Sequence, residues 1–160
     1  MATKAFCSTI VAGLVLAGCS RETAPPPPAP PPPPKCTANA CFIIVTVNGD
    51  CSNADHISVQ PPTMPIDKNN HGNDNNGPEI HWDITTQGYT FPSVETGIVF
   101  GTSPAPPAGE FHHRNLTSQN RKYTLKDMNS STQTYKYTLN LLNKDNNACA
   151  AKDPFIANGQ

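Results

Sequence analysis

The sequence has little charge of either sign. Asp, Glu, Lys and Arg together make up 14% of the chain, and 11 basic against 12 acidic residues give a formal net charge of -1. A nucleic-acid-binding protein needs a basic footprint, so this balance argues against nucleic acid as a partner. The low charge also argues against a highly charged disordered chain and a long solvent-exposed helix.

Motifs that would point to catalysis are missing as well. The chain has no Gly-x-Ser-x-Gly nucleophile elbow, no Gly-rich phosphate loop and no Cys-x-x-Cys pair. Glu79 and Asp83 flank His81 on one expected strand face, but solvent-facing carboxylates explain this pattern without an acid/base role. We therefore expect a protein that is not an enzyme and that needs no cofactor.

The N-terminus has the pattern of an export signal. Lys4 precedes an apolar segment, residues 5–16, that is much shorter than the ~20 residues needed to span a bilayer. The segment ends in Leu16-Ala17-Gly18-Cys19, which resembles the lipobox of bacterial lipoproteins. This resemblance implies that residues 1–18 are a signal peptide, that Cys19 is acylated, and that the protein is anchored to a membrane.

Two further features bear on where the domain is displayed. Ser20, rather than Asp, follows the lipobox Cys, and in the enteric lipoprotein family this implies transfer to the outer membrane. Nine of the ten residues 25–34 are Pro, which favours polyproline II with a rise of ~3.1 Å per residue. Residues 19–35 are thus expected to form a lipid-anchored stalk, with a ligand for a proline-binding groove as the alternative.

Four cysteines remain in the expected exported domain, residues 36–160. An even number of cysteines in an oxidising compartment predicts two disulfides among Cys36, Cys41, Cys51 and Cys149. We expect Cys149 to pair with one of the N-terminal three, and the sequence leaves its partner open.

The domain has the pattern of short strands separated by Pro, Gly and Asn turns. Residues 79–85 alternate clearly, with Ile80, Trp82 and Ile84 on one face. No window has a convincing helical period. The chain is therefore predicted to be all-β, an antiparallel two-sheet sandwich of about seven strands tied by disulfides, with Trp82 central and Tyr135 or Tyr137 nearby. The predicted strands are residues 42–47, 56–60, 79–85, 97–100, 122–127, 135–141 and 155–156.

The order of these segments resembles that of small exported proteobacterial proteins with an immunoglobulin-like or cupredoxin-like sandwich. The segments that carry the resemblance are residues 80–84, 88–92, 97–100, 135–138 and 153–158. A blue-copper site, which some cupredoxin-like proteins hold, needs His, Cys and Met ligands clustered near the last strand. No His or Met follows Cys149, so that motif is absent.

Two long connections are the expected binding loops. Residues 64–78 are rich in Asn, and residues 102–120 contain Pro, Gly and adjacent histidines. Long loops on a rigid sandwich often hold the binding function. The candidate binding residues within them are Asp67, Asn73, Asp74, Glu110 and Arg114.

Metal binding is an alternative function of the same regions. His81, His112 and His113 are the candidate ligands for copper or zinc, because neutral imidazole suits both ions. A calcium loop that is not an EF-hand, with Asp67, Asn69, Asn73 and Asp74 as ligands, is a further alternative. The EF-hand pattern itself is not met, because Pro78 occupies its twelfth position.

These observations lead to three hypotheses. The first is an outer-membrane-anchored lipoprotein whose domain, in the periplasm or on the cell surface, binds a protein or cell-envelope partner through its long loops. The second is a metal-binding lipoprotein. The third is an inhibitor or immunity protein that acts against a secreted hydrolase.

Overall fold

A computed structural model describes residues 35–73 and 76–160. The expected signal peptide, the expected acylation site Cys19 and the Pro-rich segment lie outside the described residues. The described part is almost entirely strand and connection, with one turn of 3-10 helix at Ala54–His56. The strands are β1 (Ala40–Val47), β2 (Ile57–Gln60), β3 (Thr63–Pro65), β4 (Glu79–Ile84), β5 (Ile98–Phe100), β6 (Phe111–Thr117), β7 (Lys122–Asp127), β8 (Thr134–Leu139) and β9 (Phe155–Ala157).

The nine strands form two sheets that enclose one apolar core, so the predicted all-β sandwich is confirmed. One sheet has the order β2-β1-β4-β7-β6 and the other has the order β3-β9-β8-β5. Both sheets are mixed rather than purely antiparallel, since β1 pairs with β4 and β3 with β9 in parallel. The chain visits the second sheet through β3 before it returns as β4, and this excursion lets β4 run in the same direction as β1.

The core is built by the period-two alternation of the central strands. In β4 the side chains of Ile80, Trp82 and Ile84 are fully buried, while the alternate residues are only partly covered. Trp82 donates a hydrogen bond from Nε1 to the hydroxyl of Tyr137 at 2.9 Å, and its ring meets the rings of Tyr137 and Tyr123 edge to face. The predicted central position of Trp82 beside Tyr137 is confirmed.

Both predicted disulfides are present. Cys51 pairs with Cys149 and joins the β1–β2 connection to the segment before β9, whereas Cys36 pairs with Cys41 where the chain enters β1. The expectation that Cys149 pairs with one of the N-terminal cysteines is confirmed, and the structure identifies Cys51 as its partner.

Seven strands were expected, and the structure adds β3 and β6. Phe111 and Leu116 both lie on the inner side of β6, although an odd separation along a regular strand would place them on opposite faces. A bulge between His112 and Asn115 changes the register and hides the alternation. The expectation that residues 102–120 form one long loop is therefore wrong for residues 111–117.

Candidate functional site

One end of the sandwich contains the connections from β3 to β4, from β5 to β6 and from β7 to β8, and we refer to it as the loop end. Its described residues are 35–39, 66–73, 76–78, 101–110, 128–133 and 158–160, which precede or follow the strand ends on that side. Backbone hydrogen bonds join these segments: Asp67 N donates to Cys36 O, Met128 N to Glu110 O, and Asn158 N to Gln133 O. The loop end is therefore one connected structure rather than a set of independent loops.

Two buried asparagines fix the connection between β3 and β4 to its neighbours. The Asn129 amide donates to the carbonyls of Asp67 and Asn70 and accepts a hydrogen bond from Gly159 N at 3.0 Å. The Asn70 amide donates to the carbonyls of Cys36 and Ala38. An asparagine amide has two donors and an acceptor, so each of these side chains hydrogen-bonds to backbone groups of more than one segment.

Gly77, in the same connection, lies directly against the backbone at the end of β7. Its φ of 79° lies in the left-handed region, and a Cβ at this position would come within 1.6 Å of the Asp127 carbonyl oxygen. Gly77 N also donates to His71 O at 2.8 Å. Only glycine fits both the conformation and the space.

A pair of buried acids lies beneath the loop end. The Asn158 amide donates to both Glu110 Oε1 at 2.8 Å and Asp127 Oδ1 at 2.9 Å, while Ser130 donates its backbone N–H and its hydroxyl to the Glu110 carboxylate. Burial raises the pKa of Asp127 to about 7; hydrogen bonds from Asn129 and Asn158 oppose this shift, and the nearby Glu110 carboxylate adds to it. Asp127 Oδ2 and Asn158 Oδ1 are buried without a partner among the described residues.

The surface of the loop end is a continuous series of clefts, because each cleft shares a lining residue with the next. Ser130 joins a cleft beside His112 to one between Lys68 and Gln133, and His71 joins the latter to a cleft of about 360 Å³. Side chains with amide, hydroxyl or imidazole groups dominate that third cleft, which is lined by Thr37, Asn39, Asp67, Asn69, Asn70, His71 and Gly72.

An apolar groove continues the series on the side of β1. The groove has a volume of about 310 Å³, is lined mainly by the Cys36–Cys41 disulfide, Phe42, Pro61 and Met64, and shares Thr37 with the 360 Å³ cleft. Phe42 is 61% exposed and stacks on the imidazole of His81 with ring centroids 4.9 Å apart. An exposed phenyl ring thus borders the polar clefts.

The five predicted binding residues have different positions. Asp67 and Asn73 line clefts of the loop end, whereas Asp74 lies outside the described residues. Glu110 is 2% exposed and is engaged by Ser130 and Asn158, so it supports the loop end from beneath rather than facing solvent. Arg114 lies on β6, where it donates to Ile98 O and approaches the Phe100 ring.

The three predicted metal ligands do not converge. His81 on β4 is opposite Thr124 and His112 on β6 is opposite Lys126, so one strand separates them. His113 lies at the bulge, with its ring centroid 4.5 Å from that of His112. Within residues 35–73 and 76–160, no group of three or more His, Cys, Asp or Glu side chains is arranged to hold a metal ion.

Sequence reasoning missed the residues that build the loop end. Asn70, Asn129 and Asn158 resemble ordinary loop asparagines, and nothing in their spacing distinguishes a buried amide from an exposed one. For Asp127 the sequence did contain a partial indication of a role at a strand end. Asp127 is the last residue of β7, and Asn129 and Ser130 follow shortly after it.

No protein-family model matches the chain, and no curated protein matches it at a significant level. In the described part of the chain, no helix has the length and apolar character required to cross a membrane.

Proposed function

We propose that this protein is a lipid-anchored, non-catalytic binding module whose recognition surface is the loop end. The observation that carries the proposal is the continuous series of clefts on a base of buried, hydrogen-bonded asparagines. A surface held in place before binding loses less conformational entropy when it meets its ligand. Ordered polar connections are therefore better suited to recognition than to a spacer function.

The anchor and the tether complete the proposal. Acylation at Cys19 attaches the chain to the outer membrane, and the Pro-rich segment displays the domain in the periplasm or at the cell surface. The chain enters the domain at Lys35 and Cys36, which line the apolar groove. The partner is expected to be a protein or another component of the cell envelope.

Chemical cross-linking of the full-length lipidated protein in its native bacterium tests this function. Asn39→Ala combined with His71→Ala removes two exposed side chains of the loop end, and Asn48→Ala combined with Gln87→Ala is the control at the opposite end. We expect a reproducible adduct, identified by mass spectrometry, that the first double variant loses and the control keeps.

An adduct that only the control variant loses would contradict the proposal. Wild-type protein recovered without any adduct would exclude a protein partner, and the proposed function would then require a ligand that is not a protein. A hydrolase inhibitor that acts through the loop end would appear in the same experiment as a single protein partner.

A further inference from the structure

The apolar part of the exposed surface beside the loop end is small. Phe42 and Ile44 are the exposed large hydrophobic residues of the five-stranded sheet, and the other two in the described chain, Val99 and Phe155, are on the second sheet. A stable protein interface buries roughly 800 Å² on each partner around an apolar centre. One phenyl ring, one isoleucine and a shallow groove suit a smaller ligand with one apolar face.

Phe42 is positioned as a platform. Its ring stacks on the His81 imidazole at an interplanar angle of 26°. His81 Nε2 in turn lies 3.2 Å from Glu79 Oε2, in an ion-pair contact that lacks hydrogen-bond geometry. Because His81 supports one side of the ring, the exposed side is presented to solvent in a defined orientation. Aromatic rings carry partial negative charge on their faces, which attracts polarised C–H groups.

The surroundings of this platform are polar and carry few charges. Asn39 and Asn69 line the 360 Å³ cleft next to the groove, together with the Thr37 hydroxyl. Each amide offers two donors and one acceptor, which matches hydroxyl and carboxamide groups on a ligand. Asp67 is the only carboxylate that lines this cleft and no Lys or Arg lines it, so the cleft does not attract an anionic ligand.

A saccharide ring combines these properties, because its C–H groups form an apolar face and its hydroxyls project from the edge. We propose that the ligand of the loop end is a neutral saccharide that carries acetamido groups, with one ring stacked on Phe42 and the adjoining ring in the cleft beside Asn39 and Asn69. This inference rests on the proposed function, since it specifies the ligand of the same surface.

The test measures binding of β-1,4-linked N-acetylglucosamine hexamer to the full-length lipidated protein in detergent micelles, by calorimetry and saturation-transfer NMR. The variants are Phe42→Ala, Phe42→Trp and Phe155→Ala. Phe155 is a matched control because it is also an exposed phenylalanine, 39% accessible, on the opposite sheet. We expect Phe42→Ala to weaken binding at least tenfold, and Phe42→Trp and Phe155→Ala to bind like wild type.

A glucose hexamer with the same linkage tests the acetamido requirement, and we expect it to bind at least fivefold more weakly. Equal binding of the two sugars, equal affinity of Phe42→Ala and wild type, or no binding at millimolar sugar would overturn the saccharide proposal. If the sugar does not bind while a cross-linked protein partner still depends on Asn39 and His71, the saccharide proposal fails and the proposed function stands. If both experiments fail, the proposed function fails as well.

Discussion

The aromatic core and the polar layer beneath the loop end are both buried, but they are held together by different chemistry. Around Trp82 the side chains are apolar or aromatic, and the indole has a single hydrogen-bond partner in Tyr137. Around Asn129 and Asn158 the side chains are amides and carboxylates. The Asn129 amide donates to backbone carbonyls, and the Asn158 amide donates to two carboxylates at once. Apolar burial is non-directional and tolerates small shifts, whereas buried polar groups stabilise only the arrangement that satisfies them. The core therefore maintains the sandwich, and the polar layer fixes the shape of one end.

The largest expected effect is in the core. Trp82→Ala should lower the free energy of unfolding by about 5 kcal/mol, because it removes a fully buried side chain and leaves the Tyr137 hydroxyl without its partner. Trp82→Phe keeps a ring but loses the indole N–H, so a smaller loss is expected. Urea denaturation measures both variants. A loss below about 1 kcal/mol for Trp82→Ala would contradict the central position of this residue.

The difference between the two regions also explains which parts of the structure can be predicted from the sequence. The alternation in β4, β7 and β8 predicts strands, faces and the position of Trp82, because burial on one side of a sheet requires period two. The polar layer depends on contacts between residues as distant as Asn158 and Glu110, which no local pattern encodes. The bulge near His113 hides β6 for a related reason, since it breaks the alternation that indicates a strand.

The second effect concerns the polar layer. Asn129→Ala should cost about 2 to 3 kcal/mol, because it removes the side-chain hydrogen bonds to the carbonyls of Asp67 and Asn70 and the acceptor for Gly159 N. Hydrogen exchange should increase in residues 66–78 and remain slow in β4 and β7. Asn140→Ala, which removes one exposed hydrogen bond to Thr96 O at the other end, is the control and should cost less than about 1 kcal/mol. If exchange in Asn129→Ala became faster by the same factor in all strands and connections, Asn129 would stabilise the whole fold and not the loop end in particular.

The third prediction uses the raised pKa of Asp127. The folded-state pKa of about 7 lies above the ordinary aspartate pKa of 3.8, so the native state binds the proton more tightly than the unfolded chain does. This contribution to stability is complete below pH ~4 and is lost as the pH rises through ~7. Asp127→Asn has no titrating carboxyl, so its stability relative to wild type should rise by roughly 1 to 4 kcal/mol between pH 4 and pH 8.

Urea denaturation at pH 4, 5, 6, 7 and 8 gives this difference directly. Asp153→Asn is the control, because Asp153 is exposed and Lys136 holds the pKa of its carboxyl below the usual range. The Asp153 variant should not reproduce the rise. A constant difference between Asp127→Asn and wild type across this range would show that Asp127 is ionised throughout.

The smallest effect on stability is expected at the exposed aromatic platform. Phe42→Ala should change the free energy of unfolding by less than about 0.5 kcal/mol, because the ring is mostly in solvent. Thermal unfolding measures the change, with Phe155→Ala as the matched control. A loss of 2 kcal/mol or more would place Phe42 among the residues that hold the fold, and its value as a binding probe would be lost.

Site-specific photo-cross-linking in the native cell tests most directly whether the loop end is the recognition surface. A photoreactive residue is placed at His71 in the loop end or at Gln87 at the opposite end; both positions are exposed, and they lie on connections that precede and follow β4. Mass spectrometry then identifies the adducts of each full-length lipidated variant. We expect a defined adduct at position 71 and none at position 87. A defined adduct at position 87 alone would contradict the account.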